Sequence, residues 1–237
     1  MPKEREKLAL TGDLVARIER TEPDPGPEPG TSDHTDAEYL AMAEELLAAA
    51  PAGPFWLFAY GSLIWNPELD TILEQQPAVA RGWHRSFCLK LTRWRGTREV
   101  PALMLALDRG GSCTGIAYRL PDEDRLGQIE KLLRREIDAN PPTNVARWIP
   151  VRIGGQPAIA LAFVAERAGP AYDGGRSHAE VAAVLARAAG HWGSAAAYLQ
   201  RTVSKLDEYG IRDRNLWSIQ RQVAEEIERL TPSGRRA

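Results

Sequence analysis

The chain has 237 residues, 43% of them hydrophobic and 26% charged, with a formal net charge of −2. Those values predict a folded globular protein of one domain with decoration, or two small domains, and give no electrostatic case for nucleic acid or an anionic membrane surface as a partner. No apolar stretch is long enough to span a membrane, Met1 to Arg20 alternates charges without the apolar core of a secretory leader, and the two cysteines, Cys88 and Cys113, fit reduced structural thiols in a cytoplasmic protein.

A short amphipathic helix is expected around 13–20. Residues 21–37 carry four prolines, two glycines and five acids without a Lys or Arg, the composition of an extended linker or disordered stretch. Thr35-x-x-Glu38 matches a capping box, and a helix should follow to about Ala49 with Leu40, Leu46 and Leu47 available for burial. The chain is therefore divided into an N-terminal extension, 1–53, and a folded domain, 54–237. Residues 55–59 read as a buried strand closed by the turn residues Gly61-Ser62. From Val79 to Trp94, Val79, Arg81, Trp83, Arg85, Phe87, Leu89 and Leu91 alternate with more polar positions, which is strand periodicity. Residues 100–120 are expected to form a hairpin of two strands turning at Asp108-Arg109-Gly110-Gly111. Pro121 is expected at the first position of a helix running to about Ile137, followed by strands over 147–153 and 157–165 split by Gly154-Gly155. The last third is helical, with Ser177-x-x-Glu180 as a cap, a helix from Ser194 ended by Gly210, and a final helix capped by Asp213. Strands joined by short turns and followed by helices predict an α+β fold with an antiparallel or mixed sheet, either open or closed into a barrel.

Among candidate chemical residues Glu136 stands out. It lies seven residues after Ile129, four after Leu132 and three after Leu133, on the apolar stripe of its helix. A carboxylate there is paired, hydrogen-bonded or used, and desolvation would make it a better base near neutrality. Periodicity alone leaves three readings open: a general base, an ion pair with Arg134, Arg135 or Arg152, or a helix end that exposes the side chain. The Tyr60-Gly61-Ser62-Leu63 turn can either bring backbone N–H groups to a carboxylate or oxyanion, or simply join a strand to a loop. Ser62 lacks a nucleophile-elbow setting and an activating histidine. Cys88 and Cys113 sit within strand patterns as small hydrophobes. Gly110-Gly111 lacks the Lys-Ser/Thr of a phosphate loop. The four histidines, His34, His84, His178 and His191, are scattered, so neither a metal nor a cofactor is expected.

Four ordered segments carry a resemblance. Phe58 to Pro67 (FAYGSLIWNP), Arg81 to Phe87 (RGWHRSF), Asp108 to Arg119 (DRGGSCTGIAYR) and Leu133 to Glu136 (LRRE) together resemble the ChaC-type γ-glutamylcyclotransferases over roughly residues 54–220. The resemblance implies a small β-barrel with flanking helices and a helical C-terminal part. It implies cleavage of glutathione to 5-oxoproline and Cys-Gly without a cofactor, Glu136 as the general base, and a γ-glutamyl group held by Tyr60, Gly61, Ser62 and Leu63. Tyr172 matches a tyrosine that lines the pocket in the wider superfamily. The chain departs from the common pattern after the glutamate: where many members have a Gly-Gly-Tyr segment, Asp138 to Asn144 contains no tyrosine. That departure keeps other γ-glutamyl amines or peptides open as substrates, beside the further alternative of a catalytically silent ligand-binding module. The partner expected is a small molecule, and the sequence does not specify an oligomeric state.

Overall fold

The computed structural model describes residues 7–232, so the reading of Met1 to Arg20 lies partly outside the described residues. The chain divides into two compact units. One comprises the described parts of Met1–Gly26, Lys90–Met104 and Gly175–Ala237, and the other comprises Pro27–Leu89 and Leu105–Gly174.

The second unit is built on a closed five-stranded barrel: β1 (Trp56–Ala59), β2 (Glu74–Leu91), β3 (Ala102–Arg119), β4 (Asn144–Ile153) and β5 (Gln156–Ala165), in the order β1-β3-β2-β4-β5. β1 and β3 run antiparallel from Trp56↔Arg119 to Ala59↔Ile116, β4 and β5 antiparallel from Asn144↔Ala165 to Ile153↔Gln156, and β1 lies parallel to β5 at Leu57↔Leu161. Closure leaves no free sheet edge. Every strand contributes side chains to one apolar core: Phe58 from β1 with Tyr60 just after it, Ala78, Ala80 and Trp83 from β2, Leu107, Cys113 and Ala117 from β3, Ile149 and Val151 from β4, and Ala160 and Ala162 from β5.

The barrel corrects the expected hairpin over 100–120. β3 is one continuous strand, and the four residues read as a turn lie inside it. Gly110 and Gly111 take φ of 104° and 68°. Such dihedrals bend a strand as readily as they reverse one. The hairpin is instead formed by β2 and β3, with its tip at 92–101.

Two helices belong to this unit, α2 (Asp36–Ala48) and α3 (Arg125–Glu136). The Thr35/Glu38 capping box opens α2 as expected, but α2 buries Tyr39 and Ala43 and leaves Leu40 exposed. α3 begins at Arg125, not Pro121, because Asp124 is its N-cap and its carboxylate accepts the Gly127 N–H of the first turn. The stretch before α2 is anchored: Ser32 and Asn140 exchange backbone hydrogen bonds of 3.0 and 2.9 Å.

The first unit is helical. It holds α1 (Gly12–Ala16), α4 (His178–Leu185), α5 (Ala195–Glu208), α6 (Arg214–Leu230) and a two-residue ribbon, β6 (Ala189–Gly190) with β7 (Gly193–Ser194). The predicted caps Ser177, Ser194 and Asp213 are all in place. Leu10 is buried and its N–H donates to the side chain of Gln220, itself buried on α6.

Candidate functional site

The barrel core places the first element of the site. β1 ends at Ala59, Tyr60 stays in the core, and a 3-10 turn, Ser62–Ile64, opens behind Gly61. Asn66 N–H donates to Ser62 O at 2.8 Å and the Tyr118 hydroxyl to Leu63 O at 3.3 Å, which fixes the turn against β3. Beneath it lies Arg85, only 3% exposed. Its Nε donates to Tyr60 O at 2.7 Å and its Nη2 to Thr114 O at 2.7 Å. A trans peptide is planar, so a carbonyl held toward Arg85 directs the Gly61 N–H the opposite way. The N–H groups that open so short a turn find no acceptor within it. The buried cation thus fixes one planar peptide, with its N–H turned away from Arg85. The sequence puts Arg85 in the row of positions from Val79 to Leu91 that alternates with more polar ones, but its partners 25 and 29 residues away cannot be read from spacing.

The second element is the C-terminal end of α3. Ile129, Leu132 and Leu133 are buried, and Glu136 follows on the same stripe with its side chain 15% exposed. Burial pushes the Glu136 carboxyl above its ordinary value. Arg135 opposes that rise by charge and by a hydrogen bond, while the negative charges of Glu68 and Asp138 add to it. Of the readings open at the sequence level, the ion pair is present, with Arg135 Nε 3.0 Å from Oε1, and the helix end does not expose the side chain. Arg134 points elsewhere, to Glu130 and Asp36. The helix end is held from α2, where the Tyr39 hydroxyl donates to Ile137 O at 2.8 Å.

Arg135 joins the two elements. Besides Glu136 it donates through Nη2 to Asn66 O, and its Nη1 meets Glu68 Oε2 at 2.8 Å. Asn66 is the residue whose N–H closes on Ser62 O. A line of contacts thus runs from the Tyr60–Leu63 turn through Asn66 and Arg135 to Glu136.

Tyr172 belongs to another cluster. It bridges to Leu89 at the end of β2, and its hydroxyl donates to buried Asp108 at 2.9 Å and accepts from Arg167 at 3.2 Å. Next to it, burial and the Asp108 charge push the Cys88 thiol up to about 12, so Cys88 stays protonated and is no nucleophile. A cleft of about 370 Å³ is lined by Glu68–Thr71 and by α3 residues that include Gln128, Lys131 and Arg135. It meets the site through Glu68 and Arg135, and neither Glu136 nor the Tyr60 turn lines it.

Comparison with known proteins adds the lineage. The family model for ChaC-like protein matches residues 55–226. The glutathione-specific γ-glutamylcyclotransferase of Escherichia coli is 36% identical over 177 residues, 74% of this chain and 75% of the relative. The mouse glutathione-specific γ-glutamylcyclotransferase 1 is 30% identical over 149 residues, 62% of this chain and 66% of the relative. A crystal structure of a γ-glutamyl cyclotransferase specific to glutathione from yeast superposes with a TM-score of 0.65 at 19% identity, over 73% of this chain and 96% of that one, and shares the fold.

Proposed function

The chain belongs to the ChaC-like family, and from that premise we propose that it is a glutathione-specific γ-glutamylcyclotransferase with Glu136 as its general base. The observation that carries the residue assignment is the desolvated carboxylate at the end of α3, tied by a single arginine to the Tyr60–Leu63 turn.

The reaction is intramolecular. The α-amine of the γ-glutamyl group attacks its own γ-carbonyl, a C–N bond closes a five-membered lactam, and the C–N bond to the cysteinyl nitrogen breaks. The products are 5-oxoproline and Cys-Gly. A tethered nucleophile needs positioning more than activation by a covalent group. The amine is mostly ammonium at neutral pH, so Glu136 takes its proton and later gives it to the departing nitrogen. The Gly61 N–H, aimed by the Arg85-held peptide, is suited to the developing oxyanion. Tyr60, Ser62 and Leu63 complete the cradle; Tyr172, held by Asp108 and Arg167 in its own cluster, is assigned to the pocket wall on the family resemblance alone. We place the reaction in the cytoplasm, a reading supported by two buried free thiols, Cys88 and Cys113. No helix among the described residues is long and apolar enough to cross a membrane.

The test is mass-spectrometric detection of 5-oxoproline after incubating purified protein with glutathione, beside γ-glutamyl amino acids and γ-glutamylamines. Product from glutathione is expected. Product from the other donors alone would keep the chemistry and change the substrate, and none from any donor would overturn the reading. Gly61→Val is expected to raise the KM for glutathione, because a side chain would fill the cradle. An unchanged KM removes the turn from the binding site.

A further inference from the structure

The guanidinium of Arg135 is contacted on every side, and its partners differ in kind. Nε donates to Glu136 and Nη2 to the Asn66 carbonyl, whereas Nη1 meets Glu68 at 2.8 Å as an ion pair without the geometry of a hydrogen bond. Glu68 sits in the loop that leaves the 3-10 turn, with its side chain 57% exposed. Its backbone takes φ of 49°, left-handed for a residue with a side chain. Such conformations are strained and persist where surroundings over-determine them. The Asn66 amide supplies one such constraint, donating to Glu68 Oε1 at 2.6 Å. The charged groups bearing on Glu136 are Arg135 from its own helix, Glu68 from this loop, and Asp138 from the chain that leaves the helix.

We propose that Arg135 and Glu68 form a positioning relay for the base: Arg135 fixes the Glu136 carboxylate relative to the Tyr60–Leu63 turn, and Glu68 sets how much of the guanidinium charge Glu136 experiences. Neither residue needs to touch substrate. The relay rests on the reading of Glu136 as the base, and it explains how that base can be both buried and available. A lone desolvated carboxylate would hold its proton and could not take another. A carboxylate fully neutralised by an unshared arginine would be a weak base. A guanidinium divided between two carboxylates lies between these limits. The same positive charge disfavours a second cation at Glu136, so it favours the α-amine over the α-ammonium once substrate is bound.

The test reads the carboxyl directly. In protein labelled with 13C at glutamate Cδ, the Glu136 signal is identified by its loss in Glu136→Gln, and its titration midpoint is followed by NMR in wild type, Arg135→Gln, Arg135→Lys and Glu68→Gln. Arg135→Gln removes the positive charge and should raise the midpoint. Glu68→Gln removes a competing negative charge and should lower it. Arg135→Lys keeps the charge but loses the fork, so the midpoint should stay close to that of wild type while kcat on glutathione falls about tenfold. The acid limb of kcat/KM should follow the midpoints, toward higher pH in Arg135→Gln and lower pH in Glu68→Gln. A purely structural defect would not move the two variants in opposite directions. Midpoints that stay put or move together overturn the relay. If Arg135→Gln fails to fold, Glu68→Gln decides alone, since the residue is exposed and its change is nearly isosteric. Because the midpoint is read without substrate, the relay stands or falls separately from the activity: a wild type that forms no 5-oxoproline would sink the function and leave the titration result intact.

Discussion

Each unit of the molecule holds an arginine next to a carboxylate, and the two pairs behave oppositely. In the helical unit Arg93 grips Asp24 with both arms of its fork, Nε 2.8 Å and Nη2 2.7 Å, and Asp24 is 40% exposed. Arg93's hydrogen bond dominates there and lowers the Asp24 carboxyl from 3.8 to about 2. In the barrel unit Arg135 offers Glu136 one hydrogen bond from a guanidinium shared with Glu68 and Asn66, and burial outweighs it, so that carboxyl rises. An arginine beside an acid thus fixes no direction by itself. Access to water and the arginine's other partners decide whether the pair stores charge or prepares a proton acceptor.

The largest expected effect comes from breaking the barrel pair at its acid. Glu136→Gln keeps the shape and removes the proposed base, so kcat on glutathione should fall by roughly 10² to 10⁴. Circular dichroism should show an intact fold, and near-normal turnover in the folded variant would remove Glu136 from the mechanism. The same variant reads the linkage. Because the folded-state pKa of Glu136 lies above its unfolded value, the native state binds more protons than the unfolded chain. Its contribution favours folding below the unfolded value and is lost as pH rises through the raised one. The melting temperature of Glu136→Gln relative to wild type should therefore climb as pH rises above the ordinary glutamate range. A flat difference would mean that Glu136 is not desolvated.

Arg85 sharpens the comparison, since it is a buried cation in the barrel unit whose resolved partners are carbonyls. Arg85→Met fills much the same volume but strips donors from Tyr60 O and Thr114 O. Leaving the buried Tyr60 carbonyl and the part-buried Thr114 carbonyl without these donors should cost about 1–3 kcal/mol in urea unfolding. It should also raise the KM for glutathione, because the Tyr60–Gly61 peptide is then free to rotate. A stability loss without a KM change would make Arg85 purely structural.

What could be read in the sequence follows the range of the interaction. The capping boxes at Thr35/Glu38 and Ser177/Glu180 were legible because partners three residues apart report directly on local geometry. Glu136 was legible as an acid on an apolar stripe, because helical spacing is also local. Gly110-Gly111 was misread because a positive φ looks alike in a turn and in a bent strand; only pairing along the whole of β3 separates them. Asp124, not Pro121, sets the start of α3 through a side-chain bond that composition cannot rank. Arg135 was weighed as one of three partners for Glu136, but its tie to Asn66 spans 69 residues, and no pattern within either segment contains it. The relation between Glu136 and the Tyr60–Leu63 turn, on which the proposed chemistry depends, is accordingly the least visible part.

The smallest expected effect comes from the exposed pair. Asp24 has its folded-state value depressed from 3.8 to about 2, chiefly by the Arg93 hydrogen bond, with the Gly26 N–H and the charge of His191 assisting. A depressed carboxyl contributes stability that is present above its unfolded value and lost as pH falls through its folded one. Asp24→Asn should therefore lower the melting temperature slightly at neutral pH, and the gap to wild type should close between about pH 4 and pH 2. Solvent screens an exposed pair, so the gap should also shrink in high salt. Turnover should not change, since nothing in the proposed mechanism passes through Asp24. If Asp24→Asn instead altered the acid limb of kcat/KM as Glu68→Gln is expected to, exposure would not be what separates the two pairs, and the contrast between a charge held in water and a base held out of it would collapse.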